Sequence, residues 1–156
     1  MKIALLLLIS LFSLTAQAQV RPASIFDNNM VLQRDKPVKV WGTADPEETI
    51  KIEFAGQRKT ATTNAQGEWS AFLDIMQAND QPQEMKISGK GNAVNFTNVL
   101  VGDVWVLGGQ SNMEFDLARI FHGDTEILSA NYPKIRHMTI PSSANKKPQK
   151  DFDRIN

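Results

Sequence analysis

The sequence has no cysteine, only two histidines and a single tyrosine in 156 residues. Without cysteine there is no disulfide framework, no thiolate metal site, no cysteine nucleophile and no cysteine-linked lipid anchor. A small exported domain of this kind must be stable through core burial alone. Two histidines are too few for a multi-histidine metal centre. An excess of one charge is also missing, with 17 Lys and Arg against 17 Asp and Glu. Binders of nucleic acid or of anionic membranes need a basic face, so the balance argues against both. No Lys follows the paired glycines Gly108 and Gly109 in the manner of a phosphate-binding loop. No metal and no cofactor is expected. What remains is a globular composition, 42% hydrophobic and 22% charged, rather than a disordered one. The length allows one ordinary domain or two small ones.

The first residues read as an address. Lys2 is followed by an apolar run from Ile3 to Leu14, broken only by Ser10 and Ser13, and then by Ala16-Gln17-Ala18. A basic start, a short apolar stretch and a small-x-small site predict a secretory signal peptide over residues 1–18. The run is too short to span a bilayer, which needs about 20 residues. Cleavage after Ala18 removes Lys2 and leaves a mature chain of net charge −1. The expected destination is the periplasm or the exterior, with no membrane association after cleavage.

From about Pro37 to Leu100 the pattern is that of short strands. Val38 and Val40 flank Lys39 ahead of Trp41-Gly42, and Ile50, Ile52 and Phe54 alternate with Thr49, Lys51 and Glu53. Such period-two alternation sets one face on a core and the other in water. Turn signals fall at Ala44-Asp45-Pro46, Ala55-Gly56-Gln57 and Asn64-Ala65-Gln66-Gly67, the last followed by a strand at Glu68–Leu73. Met85-Lys86-Ile87 and Val94-Asn95-Phe96 repeat the alternation across Gly89-Lys90-Gly91. The expectation for residues 19–100 is a small antiparallel, sandwich-like β module.

After that the pattern changes. Val99-Leu100-Val101 and Val104-Trp105-Val106-Leu107 are apolar without alternation, which predicts a strand buried on both faces, as in a parallel sheet covered by helices. Met113, Leu117 and Ile120 have helical spacing, Thr125 to Ala130 can form a short helix, and Ile135 to Ile140 reads as a second strand. Strand, helix and strand begin an α/β domain. One partner strand cannot close such a core, so residues 101–156 are expected to hold only the beginning of that domain. The fold class predicted is therefore mixed, a β module followed by an incomplete α/β unit.

The chemistry concentrates where the predicted buried strand meets Gly108-Gly109-Gln110-Ser111-Asn112-Met113. Paired glycines permit a sharp turn beside a side chain. A serine there, followed by a helix, would sit among unpaired backbone N–H groups that stabilise negative charge. Its own N–H would help to bind the oxyanion of a tetrahedral intermediate. A serine nucleophile also needs a general base, normally His, oriented by a carboxylate. The other reading is structural, with Ser111 as a helix N-cap behind a tight glycine turn. Met113 stands where a Gly-x-Ser-x-Gly elbow would have its second glycine.

At these residues the sequence resembles the sialate O-acetylesterase family, a branch of the SGNH hydrolases. The resemblance is carried by Gly102-Asp103-Val104-Trp105 followed by Gly109-Gln110-Ser111-Asn112-Met113. Upstream, Phe26-Asp27-Asn28-Asn29-Met30-Val31-Leu32-Gln33-Arg34, followed by Val40-Trp41-Gly42, is similar to the start of that family's N-terminal β domain. Ile135-Arg136 after Tyr132-Pro133 is similar to its next strand. The resemblance implies a carbohydrate esterase that removes O-acetyl groups from sialic acid or related sugars. It implies Ser111 as the acyl-enzyme nucleophile, with Gly109, Gln110 and Asn112 as the surrounding turn. It implies a flavodoxin-like three-layer α/β domain carrying a β-rich module, and an O-acetylated sugar as substrate. The family's general base lies in an Asp-x-x-His block, and no such block occurs in these 156 residues. The chain alone is accordingly expected to be inactive.

Neither histidine is expected to replace that base. His122 follows a predicted helix that would place it ~15 Å from Ser111, and His137 lies in a predicted strand. Asp103 has two readings, as an orienting group for the nucleophile turn or as simple turn punctuation. Trp41, Trp69 and Trp105 are either core residues or a sugar-stacking platform. The core reading is preferred, most of all for Trp105 in its apolar run. Lys146, Lys147 and Lys150 with Asp151 and Asp153 read as a solvated connector. The competing function is a non-catalytic carbohydrate-binding or scaffold module, which the β-rich half and the three Trp permit.

Overall fold

A computed structural model describes residues 19–113, 115–141 and 147–152. The predicted signal peptide therefore lies outside the described residues, as do Lys146 and Asp153. The described chain is mostly β, with two sheets and one α-helix. In the first sheet, β3 (Val38–Thr43) lies between β1 (Arg21–Pro22) and β6 (Glu68–Leu73), both antiparallel to it. The second sheet contains β2 (Val31–Gln33), β8 (Ala93–Gly102), β7 (Asn79–Ser88), β4 (Thr49–Phe54) and β5 (Gln57–Thr62), in that spatial order.

Alternation placed the core as expected. Ile50 and Ile52 are 0% exposed, while Thr49 and Lys51 on the same strand face water. Val40, Trp69 and Leu73 from the first sheet join Ile50, Ile52, Phe54, Met85, Ile87, Phe96 and Val99 from the second in a single hydrophobic cluster. Each fully buried side chain of this size contributes about 2 kcal/mol by leaving water. Trp69 is a core residue, as anticipated, and Trp41 packs half-buried against the same cluster. Its ring and that of Phe26 meet in a T-shaped arrangement at a centroid distance of 5.0 Å.

The predicted turns form, and their chemistry is visible. The β4–β5 hairpin closes through Ala55 and Gly56, with φ of 49° and 75°, the two positive angles that match the twist of paired strands. Asn64 organises the β5–β6 turn, its Oδ1 accepting from the N–H groups of Gln66 (3.0 Å) and Glu68 (2.8 Å). Thr63 closes the Asp45–Glu48 turn and is itself buried. Its hydroxyl donates to Asp45 O and accepts from the Glu48 N–H, the latter at 2.7 Å. A Thr63→Val replacement keeps the shape and strands that N–H. It is expected to cost about 1–3 kcal/mol, read as a lower midpoint in urea with an unchanged slope.

Two features depart from a simple antiparallel sandwich. First, β2 pairs with β8 in parallel, Val31 opposite Leu100 and Gln33 opposite Gly102. The apolar run Val99–Val101 thus belongs to the end of β8, flanked by β7 and β2 and buried throughout. Second, two residues of β8, Thr97 and Asn98, oppose one of β7 between the Met85–Phe96 and Gln83–Val99 pairs. Asn98 takes φ of 57° at this bulge. The loop before β2 is wired to it, since Asn28 Oδ1 accepts from the Thr97 N–H (2.8 Å) and Asn29 Oδ1 from Asn98 Nδ2 (2.7 Å).

Beyond β8 the expectations for residues 101–156 are largely not met. Val104–Leu107 is not a strand, and Trp105 and Val106 are 81% and 93% exposed. Trp105 is thus not a core residue. Met113, Leu117 and Ile120 do not share a helix; a single 3-10 turn covers Leu117–Arg119. The short helix expected near residue 125 does form, as α1 (Gly123–Ser129). Ile135–Ile140 is not a strand. The physical reason is the same for both missing strands. A strand buried on both faces needs a neighbour on each edge and a layer on each face. Among the described residues nothing lies against Val104–Leu107 in that way.

Candidate active site

The route to Ser111 begins at the end of the β2–β8 pair. Past the last paired residues, the Arg34 N–H donates to Gly102 O at 2.9 Å. The Val104 N–H donates to Gln33 Oε1 at 2.9 Å. Arg34 Nε donates to Asp103 Oδ1 at 2.9 Å, and the same guanidinium reaches Asp35 at 3.2 Å. The hydrogen bond and charge of Asp103, and then the charge of Asp35, raise the Arg34 pKa above its ordinary value. Asp103 therefore does more than punctuate a turn, because it ties the exit of β8 to the end of β2.

The turn itself is formed by Gln110 to Met113, with the Met113 N–H donating to Gln110 O at 2.8 Å. Ser111 and Asn112 occupy its corner. A Cβ on Gly109 would stand 3.0 Å from Met113 Cβ, whereas one on Gly108 would meet nothing. Gly109, Gln110, Ser111 and Asn112 are all exposed. Among the described residues, no hydrogen bond involves the Ser111 hydroxyl. The turn brings these four residues together, and no helix starts at Ser111. Asp116 stands at the N-cap position of the following 3-10 turn and His122 at that of α1, neither with a side-chain capping hydrogen bond. The N-cap reading of Ser111 thus has no helix to serve, and the helix-terminus contribution to anion binding is equally absent among the described residues. The donors at hand are the backbone N–H groups of the turn.

His122 has φ of 61°, and its ring lies tilted by 58° against that of Phe121, the centroids 3.9 Å apart. His137 is exposed. No hydrogen bond joins either to Ser111 among the described residues. The same residues hold no group of three His, Asp or Glu side chains arranged for a metal.

The segment after the turn is pinned back onto the β module. Lys134 pairs with Asp80 on β7, and Arg136 donates to both the carbonyl and the side-chain oxygen of Asn98 at the β8 bulge, the latter at 3.0 Å. Lys150 pairs with Glu68, and Asp151 Oδ1 accepts from the Ser24 N–H at 2.9 Å. The part of the basic connector that is described is therefore anchored. The Lys134 hydrogen bond holds the Asp80 carboxyl below its ordinary pKa, and the Lys150 hydrogen bond does the same for Glu68. Both contacts are present above the unfolded-state pKa values and are lost as pH falls through the depressed ones. In an NMR titration, both carboxyls should titrate below the ordinary Asp and Glu range. Lys134→Ala and Lys150→Ala should each raise the pKa of their own partner's carboxyl and leave the other unmoved.

Sequence reading missed Gln33 and Arg34 as companions of this segment. They lie 71 and 69 residues from their partners Val104 and Asp103, and no local spacing connects them.

No family model matches the chain. It is 31% identical to mouse sialate O-acetylesterase over 147 residues, covering 86% of this chain and 27% of that protein. It is 32% identical to the human sialate O-acetylesterase over 132 residues, or 77% and 25% of the two chains. The crystal structure of a carbohydrate acetylesterase from Xanthomonas citri superposes with a TM-score of 0.81 at 35% identity, covering 85% of this chain and 30% of that one. The chain thus spans between a quarter and a third of the length of these relatives. Over the part that it spans, the protein is a homologue of the sialate O-acetylesterases.

Proposed function

We propose that this chain carries the nucleophile of a secreted or periplasmic carbohydrate esterase that removes O-acetyl groups from sialic acid or related sugars. Ser111 Oγ attacks the acetyl carbonyl. Backbone N–H groups of the Gly109–Asn112 turn face the oxyanion that develops. The sugar hydroxyl leaves with the proton, and water then releases acetate from the acyl-enzyme. The general base and its carboxylate are assigned to sequence beyond these 156 residues, which contain no Asp-x-x-His block. In this reading, residues 19–100 are a β module and residues from 101 onward begin an SGNH-type α/β domain. The single observation that carries the reading is the exposed Ser111 at the corner of a glycine-led turn, which among the described residues serves as neither a helix cap nor a hydrogen-bonded structural hydroxyl.

Covalent trapping tests it. The full-length natural chain, exposed briefly to an activated acetyl ester and quenched in acid, should show an acetyl group on the peptide containing Ser111. An adduct on another serine, with Ser111 unmodified, would remove Ser111 from the mechanism. A second reading, carbohydrate binding without hydrolysis, would use the ring of Trp105, which is exposed among the described residues six residues before Ser111. Retained binding of an O-acetylated glycan with no acetate released would select it.

A further inference from the structure

We infer that Gln33 and Arg34 are positioning residues for the Ser111 turn, acting through the clamp that they place on Gly102, Asp103 and Val104. The inference rests on Ser111 being the nucleophile and adds to it the part of the β module that sets where the serine lies.

The geometry is specific. Parallel pairing of β2 and β8 ends at Gln33 opposite Gly102. Three further bonds carry the association past that point: the Arg34 N–H to Gly102 O, the Val104 N–H to Gln33 Oε1, and Arg34 Nε to Asp103 Oδ1. Gln33 is itself held, because its Nε2 donates to Arg34 O at 3.0 Å. Among the described residues, the chain beyond Val104 has no further tether to the β module before the turn at Gln110–Met113. The clamp is therefore the last fixed point on the path to Ser111. A shift at such a point moves the start of the path that leads to Ser111. Displacement of a reacting atom by about 1 Å can cost on the order of 100-fold in rate. The core does not explain these contacts. Arg34 and Asp103 are both substantially exposed, at 41% and 53% of their side chains, and neither fills a cavity.

The test compares Gln33→Leu, Gln33→Glu, Arg34→Met and Arg34→Lys in the full-length natural chain, with Ser111→Ala beside them. Acetate release from an O-acetylated sialic acid, thermal melting and amide exchange are measured for each. Gln33→Leu and Arg34→Met should lower kcat by about 10- to 100-fold with KM within about twofold. Amide exchange at Val104 to Gly109 should speed up, and the melting temperature should stay put. Gln33→Glu keeps the acceptor for the Val104 N–H and Arg34→Lys keeps a donor for Asp103, so both should recover most of the rate. An unchanged kcat in Gln33→Leu and Arg34→Met, with Ser111→Ala inactive, overturns the positioning role and leaves the nucleophile in place. A fall in kcat that simply tracks a fall in melting temperature, with no rescue by the conservative pair, also overturns it. An active Ser111→Ala overturns the nucleophile and the positioning role together.

Discussion

Ser111→Ala is expected to lower acetate release by the full-length natural chain by at least about a thousandfold, and to leave the melting temperature of the 156-residue chain unchanged. The size follows from chemistry. The hydroxyl forms the acyl bond, and no neighbouring hydroxyl shares its corner of the turn. What remains after its removal is catalysis by oxyanion binding and substrate placement alone. The absence of a stability cost follows from structure. Ser111 is exposed and its hydroxyl makes no hydrogen bond among the described residues, so within this chain alanine removes no packing and strands no buried partner. This combination separates the nucleophile from a structural serine, whose loss would lower both quantities. A rate within a few-fold of the unaltered protein would end the assignment.

How far the fold could be read in advance depended on where the burial comes from. On β4, Ile50, Ile52 and Phe54 carry their own signal, since a half-buried strand alternates. The Ala55-Gly56 hairpin and the Asn64–Gly67 turn are fixed by local backbone chemistry and were equally legible. The edge strand β5, Gln57–Thr62, was not, because an edge position asks little hydrophobicity of its residues and its partner β4 supplies the pairing. The very short β1 and β2 escaped for a related reason. Two or three residues are too few to show a period.

Val104–Leu107 shows the opposite failure. An apolar run states a need for cover and does not supply it, so the same four residues read as a buried strand and stand exposed where no layer meets them. The candidate site divides along the same line. Ser111 and its glycines are contiguous and announce a turn. The Gln33–Arg34 clamp is an encounter of residues about 70 apart, and only the β2–β8 register reveals it. Among the described residues the parallel pairing lies inside the β module, between β2 and β8.

Gly42→Ala is expected to destabilise the β module by about 3 kcal/mol or more, a fall in melting temperature on the order of 10 °C. Gly42 follows Trp41 on β3, where β1 pairs antiparallel beside it, Pro22 opposite Gly42. A Cβ at this position would lie 2.1 Å from Arg21 O, 2.7 Å from Pro22 Cα and 2.8 Å from Trp69 Cζ2. Two of these atoms are backbone and the third belongs to a core indole, so no flexible side chain can swing away. Relief requires β1 to lift from β3 or the Trp69 ring to move within the core, and either loses buried contacts. Gly56→Ala is the natural comparison. Its Cβ would meet nothing, but its φ of +75° strains an alanine, at a cost of about 1–2 kcal/mol. If crowding against β1 is the reason for glycine after Trp41, Gly42→Ala melts well below Gly56→Ala, and amide exchange at Ala23, whose N–H donates to Trp41 O, accelerates only in Gly42→Ala. Equal melting temperatures for the two variants would show that β1 yields at little cost and that Gly42 is not what seats it.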